Sequence, residues 1–172
     1  STLALTAKQG DLTLTQGKLD TNNVKLHSAR DIHAQQVQVK AAQWNVSANN
    51  LFNQKGTWVQ TGPNESQFAL SGQLNNQGGA IEANSLKLNA DSLNNQAGRL
   101  VALGKSQQDW QVKNSFNNQQ GEIGANGDLS LTANTIDNQS GTIKSQTKLA
   151  LNAKEQIDNR AGNLVAGNAV NL

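Results

Sequence analysis

The feature that most constrains the fold is a pair of apolar residues, separated by one residue, that recurs nine times along the chain. The pairs are Leu3/Leu5, Val24/Leu26, Trp44/Val46, Phe68/Leu70, Leu86/Leu88, Trp110/Val112, Leu129/Leu131, Leu149/Leu151 and Val170/Leu172. Their second members follow one another after 18 to 24 residues, which is about one turn of a β-solenoid. This spacing predicts an all-β repeat protein in which each pair stacks on the previous one.

The residues around each pair indicate strands with one buried face. In the segment 129–133, the apolar Leu129, Leu131 and Ala133 alternate with the polar Ser130 and Thr132, and helical periodicity is absent from the chain. We therefore predict a parallel β-helix, continuous over residues 1–172, with about eight coils of about 21 residues each.

From residue 51 onward, an apolar residue, an Asn and a Gly follow each pair at fixed spacing. The asparagines are Asn53, Asn76, Asn95, Asn118, Asn138 and Asn159, and the glycines are Gly56, Gly79, Gly98, Gly121, Gly141 and Gly162. Glycine takes positive φ without a Cβ clash, and stacked Asn amides can hydrogen-bond along a row. We predict sharp corners at the glycines and a continuous asparagine ladder.

Residues 1–50 keep the apolar pairs but lack this corner. They contain Gly10-Asp11-Leu12 and Arg30-Asp31-Ile32 instead, with a further apolar pair at Val37 and Val39. We expect variant coils with another corner chemistry over 1–50, continuous with the Asn/Gly coils over 51–172.

The composition fits a solenoid better than a globule or a disordered chain. Asn and Gln make up 44 of the 172 residues, and hydrophobic residues make up 35%. A solenoid gains stability from contacts between neighbouring coils, whereas disorder would not place apolar pairs in register nine times. Because both ends of the sequence fall on an apolar pair without a polar cap, we expect a segment of a longer solenoid that can associate end to end.

Charge and residue chemistry give little support to catalysis or to nucleic-acid binding. The net charge is +2, with Lys and Arg scattered among acidic residues, and the chain has no Cys and no Tyr. His27 and His33 are expected to face solvent on different walls of one coil. The sequence predicts no metal, no cofactor and no enzymatic activity.

A paired acid/base site or a calcium site would require two or three carboxylates that converge on one wall. Asp11 and Asp31 precede equivalent inward residues one coil apart, Asp137 and Asp158 share a corner, and Glu82 and Glu122 differ in phase. They are not expected to converge on one wall, which argues against a β-helix enzyme acting on polysaccharides.

Two coils carry additional residues, at 60–66 and 103–109, which predict loops or short hairpins. Their candidate binding residues are Thr61, Asn64, Glu65, Lys105, Gln107 and Asp109. Trp58 and Trp110 flank these excursions and could stack on sugars if exposed, although Trp110 occupies a pair position and burial is the favoured interpretation.

One repeat unit of the chain resembles the haemagglutinin repeat of the filamentous haemagglutinin family. The residues that carry the resemblance are Leu129, Leu131, Ala133, Ile136, Asn138, Gly141 and Ile143. The resemblance implies a right-handed β-helical fibre on the surface of a Gram-negative bacterium. It also implies two-partner secretion through an outer-membrane transporter. Members of this family include adhesins, haemolysins and contact-dependent growth-inhibition proteins.

Three functions therefore compete. The favoured one is the shaft of a large surface exoprotein that mediates adhesion or contact-dependent toxin delivery. The second is direct binding of a glycan or receptor, on a host or neighbouring cell, by the two excursions. The third is a carbohydrate-active enzyme.

Overall fold

The computed structural model describes residues 1–172 as 21 parallel strands without a helix. The strands are β1 (Thr2–Ala7), β2 (Leu12–Thr13), β3 (Lys18–Ser28), β4 (Ile32–His33), β5 (Gln38–Ala48), β6 (Leu51–Phe52), β7 (Thr57–Gln60), β8 (Ser66–Leu70), β9 (Gln73–Asn75), β10 (Ala80–Ala83), β11 (Leu86–Ala90), β12 (Ser92–Asn94), β13 (Arg99–Ala102), β14 (Gln108–Val112), β15 (Ser115–Asn117), β16 (Glu122–Ala125), β17 (Leu129–Asp137), β18 (Thr142–Ser145), β19 (Lys148–Asp158), β20 (Asn163–Ala166) and β21 (Ala169–Asn171). No segment forms a helix that is long and apolar enough to cross a bilayer.

Every strand pairs in parallel with its equivalent one coil later, which gives a β-solenoid of about eight turns with three walls. The first wall carries the apolar pairs, for example on β1, β8, β11 and β14. The second wall contains the short strands β2, β4, β6, β9, β12 and β15. The third wall contains β7, β10, β13, β16, β18 and β20. The predicted parallel β-helix is confirmed.

Some strands extend over two walls. The 11-residue strands β3 and β5 begin on the third wall and end on the first, and β17 and β19 span the first and second walls. Long strands of this kind therefore occur both in the variant coils and in the later ones.

The core is one cluster of 34 buried hydrophobic residues along the axis. Its N-terminal half contains an aromatic cluster, in which the ring centroid of Trp58 lies 5.3 Å from those of both Trp44 and Phe68. Trp58 and Trp110 are both 0% exposed, so neither can provide a surface platform for a sugar.

The strand register corrects the alignment of two apolar pairs. Phe68 pairs with Leu88, and Trp110 pairs with Leu88 and Leu131, so Phe68/Leu70 and Trp110/Val112 each sit one inward position later than the sequence alignment assumed. Buried Ser66 and Gln108 occupy the first inward position in these coils.

These two polar residues are tolerated inside because each accepts a backbone hydrogen bond from the neighbouring coil. The Trp44 N–H donates to Ser66 Oγ at 3.0 Å, and the Leu86 N–H donates to Gln108 Oε1 at 2.9 Å. The spacing of the apolar pairs therefore looks irregular in the sequence because these two polar residues take an inward position and cannot be recognised as core residues.

The same two residues shorten the predicted excursions. β7 ends at Gln60 and β8 begins at Ser66, while β13 ends at Ala102 and β14 begins at Gln108. The loops therefore cover residues 61–65 and 103–107, and neither forms a hairpin. The boundaries 60–66 and 103–109 were too wide because Gln60, Ser66, Gln108 and Asp109 belong to strands.

Candidate functional site

The most regular polar feature of the interior is a continuous ladder of the six corner asparagines. The Nδ2 of each asparagine donates to the Oδ1 of the asparagine one coil later, at 2.7–2.9 Å. Asn53, Asn76, Asn95, Asn118 and Asn138 are 0% exposed. Buried amides that use both donor and acceptor in this way avoid the cost of an unsatisfied polar group.

The ladder also joins side chain to backbone. The Nδ2 of Asn76, Asn95 and Asn118 lies 3.0–3.1 Å from a carbonyl oxygen at the start of the third wall in the next coil, that of Arg99, Glu122 and Thr142 respectively. Each rung therefore holds the next coil at its corner by two acceptors, and the corner is a unit of coil-to-coil stacking.

The corner glycines have another role than the predicted one. Positive φ falls on the residue before each of them, namely Lys55, Gly78, Ala97, Gln120, Ser140 and Ala161, and in the two variant coils it falls on Gln16 and Gln36. The expectation that Gly56 and its equivalents supply positive φ was wrong.

Close packing explains the glycines instead. A Cβ on any of the six would lie less than 3.0 Å from the Oδ1 of the corner Asn in its own coil. It would come equally close to a carbonyl oxygen of the preceding coil. Real Cβ atoms essentially never approach so closely, so only glycine lets the ladder pass beside the backbone.

The variant coils of residues 1–50 form the corner that later carries Asn and Gly with apolar residues. Their turns run from Leu14 to Gly17 and from Ala34 to Val37, closed by N–H to carbonyl hydrogen bonds of 2.8 and 3.1 Å. In the second of these, small Ala34 stands where Asn stands later, and Val37 stands where Gly stands later, both at most 1% exposed. The corner was wrongly placed at Gly10-Asp11-Leu12 and Arg30-Asp31-Ile32, which form the preceding turns.

Those preceding turns hold the one cluster whose convergence sequence reasoning missed. The ligand-capable atoms of Asp11, Asp31 and His33 lie within 4.8 Å of one another. The equal phase of the two aspartates was visible in the sequence. However, the contact with His33 depends on that residue folding back over the preceding coil.

The cluster is already occupied with internal hydrogen bonds. Asp11 Oδ2 lies 3.0 Å from His33 Nε2, and its Oδ1 accepts the Asp31 N–H at 3.1 Å. These two bonds, led by the one to His33, hold the pKa of Asp11 below its ordinary value. Asp31 Oδ1 in turn accepts the Asn50 N–H at 3.1 Å. These hydrogen bonds therefore link successive coils, as the asparagine ladder does elsewhere.

The other carboxylates also stabilise the stack. Asp137 and Asp158 are paired neighbours in one column, and each accepts the backbone N–H two residues later. Arg160 donates to Asp158 at 2.7 Å, and this ion pair lowers the pKa of Asp158. Glu82 and Glu122 lie in different columns, as predicted, and both contact Arg99, at 3.0 and 3.4 Å.

The two loops lie at the same edge of the solenoid, between the third and first walls, two coils apart. The predicted binding residues Thr61, Asn64, Glu65, Lys105, Gln107 and Asp109 are all exposed. The short turn of Asn84 and Ser85 lies between the loops. It contacts both, because Asn84 Nδ2 donates to the Gly62 carbonyl at 2.6 Å and the Gly104 N–H donates to the Asn84 carbonyl at 2.8 Å.

The fold and its corners define a class: a repeat protein of the parallel β-solenoid type, with a polar ladder along one corner of its later coils. The profile of the family described as Haemagglutinin repeat matches residues 2–56, 46–109 and 107–172. These matches cover almost the whole chain, so the chain belongs to the haemagglutinin repeat family. Comparisons with curated proteins and with solved structures found no match.

Proposed function

We propose that this chain is a shaft segment of a filamentous haemagglutinin-type surface adhesin. The observation that carries the proposal is the continuous parallel pairing from β1 to β21, in which every coil is a template for the next. With a strand spacing of about 4.8 Å, eight coil-to-coil steps give a rod of roughly 40 Å. Adding coils lengthens such a rod without changing any existing contact, which is what a spacer requires.

The route to the surface belongs to the same proposal. Large exoproteins with this repeat fit two-partner secretion, with an outer-membrane transporter as partner during export and the outer cell surface of a Gram-negative bacterium as destination. The chain suits export in an unfolded state, because it has no cysteine and its contacts are made between successive coils. Whether the complete protein adheres or delivers a toxin depends on its other domains.

A length measurement tests the shaft. A chain in which the two coils 108–148 are duplicated in register should give a rod longer by two strand spacings, about 10 Å, in small-angle X-ray scattering. Its melting temperature should not fall, because each added coil repeats existing interfaces. Unfolding of the duplicated chain, or a globular scattering profile, would contradict the proposal.

Export can be tested separately. If folding outside the cell helps to draw the chain through the transporter, Asn118→Ala should lower the secreted amount of a full-length exoprotein carrying this segment. Lys25→Glu, on the outer face of the first wall, is the matched control. Equal secretion of both variants would count against coupling between stacking and export.

Direct glycan or receptor binding is the second candidate, favoured by the position of the two loops. The exposed loops 61–65 and 103–107 flank the shorter Asn84–Ser85 turn, so they border a depression of one coil. Its rim offers carboxylate, ammonium and amide groups from Glu65, Lys105 and Gln107, which are suited to sugar hydroxyls.

Trimming both loops to the length of the Asn84–Ser85 turn separates the two candidates. Binding to a glycan array or to whole cells that disappears on trimming would make the segment an adhesive module. Absence of binding by both forms, with the β-rich circular dichroism retained, would leave the shaft as its function.

A further inference from the structure

The corner contains a second recurring residue besides the asparagine of the ladder. The residue directly after the ladder asparagine is glutamine in five consecutive coils, and Gln35 takes the same place in the coil before them. The column is Gln35, Gln54, Gln77, Gln96, Gln119 and Gln139, in register through the backbone hydrogen bonds of the following residues. We refer to this column as the glutamine ridge.

The turn itself does not need these side chains. The turn is closed by the Asn or Asp that directly precedes the ladder asparagine, because its Oδ1 accepts a hydrogen bond from the backbone N–H of the glutamine. The Gln77 N–H donates to Asn75 at 3.1 Å, and the Gln96 N–H donates to Asn94 at 2.9 Å. Any residue with a backbone N–H could make this bond. A recurring glutamine therefore needs an explanation outside the turn.

The middle of the ridge carries amides without partners. Gln119 and Gln139 donate to Asp137 Oδ2, and Gln35 accepts from Thr15. The side chains of Gln77 and Gln96 make no hydrogen bond within the chain, and Gln54 Oε1 is shielded from solvent without a donor. Gln77 and Gln96 thus present free donors and acceptors, and Gln54 presents a free Nε2 donor, in three successive coils at a repeat of about 4.8 Å.

The surroundings of these amides allow a close approach. The residues after Gln77 and Gln96, at the tip of the turn, are Gly78 and Ala97, which have little or no side chain. The charged residue beside this part of the ridge is Lys55. The edge therefore carries small residues at the tips of two successive turns and one charged side chain, whose Cγ would lie 3.5 Å from a Cβ on Gly78.

We propose that the glutamine ridge is a lateral contact site for a second copy of this solenoid, and this goes beyond the role of a shaft. A partner must offer both donors and acceptors at the strand spacing to satisfy the amides of every coil. A second copy has that repeat by construction, and a primary amide is complementary to itself. Ridge against ridge around a two-fold axis brings Gln77, the middle of the free amides, next to its counterpart.

The contact is weak in a segment of this length. A ridge of six coils is roughly 24 Å long, and its area falls below the about 800 Å² per partner of a standard stable interface. Each further coil adds the same contact, so affinity should grow with fibre length, as in multivalent binding. The ridge would then align long shafts side by side into bundles, independently of end-to-end stacking.

Sedimentation velocity over a concentration range tests this with the protein itself. We expect the weight-average mass to rise toward that of a dimer. The triple variant Gln54→Ala, Gln77→Ala, Gln96→Ala should weaken the association at least about tenfold. The control triple Gln67→Ala, Gln107→Ala, Gln111→Ala removes outward amides from elsewhere on the surface and should leave it unchanged. Melting followed by circular dichroism shows that both triples are folded.

A second measurement traps the contact even where it is weak. Because the chain has no cysteine, Gln77→Cys creates a single thiol at the centre of the ridge. Mild oxidation should link it into a disulfide dimer several times faster than Gln111→Cys on the first wall.

Three results would overturn the proposal. One is association that persists in the ridge triple, which would identify end-to-end stacking. Another is equal cross-linking of the two cysteine variants. The third is a wild-type chain that stays monomeric at every concentration while its ridge binds a neutral polysaccharide.

Discussion

Trp58 Nε1 donates a hydrogen bond of 2.8 Å to Asn53 Oδ1 and so terminates the asparagine ladder at its N-terminal end. Every later rung receives this bond from the asparagine one coil before. Asn53 cannot, because Ala34 occupies the corner of the preceding coil. The buried indole N–H therefore supplies the missing donor at the boundary between the two corner chemistries, where an unpaired amide oxygen would otherwise be enclosed.

This relationship predicts that Trp58→Phe destabilises the solenoid by about 1–3 kcal/mol beyond the loss of packing, because Asn53 Oδ1 is left buried without a donor. Trp44→Phe is the matched control, since Trp44 is equally buried in the same aromatic cluster and its Nε1 has no partner. Chemical denaturation of both variants gives the comparison. Equal losses of stability in the two variants would show that the hydrogen bond from the Trp58 indole contributes nothing beyond packing.

The neighbouring glycines Gly78 and Gly79 should respond to alanine for different reasons. Gly78 has a φ of 64°, and a Cβ there would make only an ordinary van der Waals contact with Lys55 Cγ at 3.5 Å, so Gly78→Ala should cost about 1 kcal/mol of backbone strain. In Gly79→Ala the new Cβ would meet Asn53 and Asn76, and we expect loss of the cooperative melting transition or a much larger drop in stability. Similar melting temperatures for the two variants would refute this assignment.

Removing one asparagine from the middle of the ladder should leave each neighbouring asparagine without one of its hydrogen-bond partners. Asn118→Ala takes the acceptor from Asn95 and the donor from Asn138 Oδ1, both buried, so we expect a loss of at least about 2 kcal/mol. Gly121→Val should be at least as damaging, through the clash with the same corner. Lys25→Glu on the outer face should stay within about 0.5 kcal/mol. A thermal melt that ranks the charge reversal with the corner variants would contradict the ladder's role.

Acid should weaken the stack through its hydrogen-bonded aspartates. The hydrogen bond from Thr147 Oγ1, followed by that from the Lys148 N–H, lowers the pKa of Asp128, and the pKa of Asp11 and Asp158 is also lowered. Because the folded pKa lies below the ordinary 3.8, this stabilisation is complete above 3.8 and is lost as the pH falls through the folded value. Melting temperature should therefore fall in that window.

Asp128→Asn tests the origin of the acid effect. It keeps an oxygen that can accept from Thr147 and removes the titrating proton, so its melting temperature should fall less steeply with acid than that of the wild type. Asp20→Asn, at an exposed position, controls for the change in net charge. Identical acid profiles for Asp128→Asn and the wild type would mean that other groups control acid unfolding.

The architecture and the ladder could be read from the sequence because both arise from a pattern that repeats at one coil length. Inward residues such as Leu129 and Leu131 recur at nearly fixed spacing, and parallel stacking then brings equivalent residues such as Asn118 and Asn138 into contact. Once the repeat is recognised, the neighbours of a corner residue are determined by counting. The same logic located the loops, although not their ends.

What only the tertiary structure decided is where the pattern is interrupted. Ser66 and Gln108 look like loop residues, yet they are buried because a backbone N–H of the neighbouring coil points at them. The Trp58 cap exists only because one coil has Ala34 in place of Asn. The position of positive φ, one residue before each glycine, follows from the path of the turn. Periodicity determines which coils stack, whereas these exceptions depend on three-dimensional contacts that occur once.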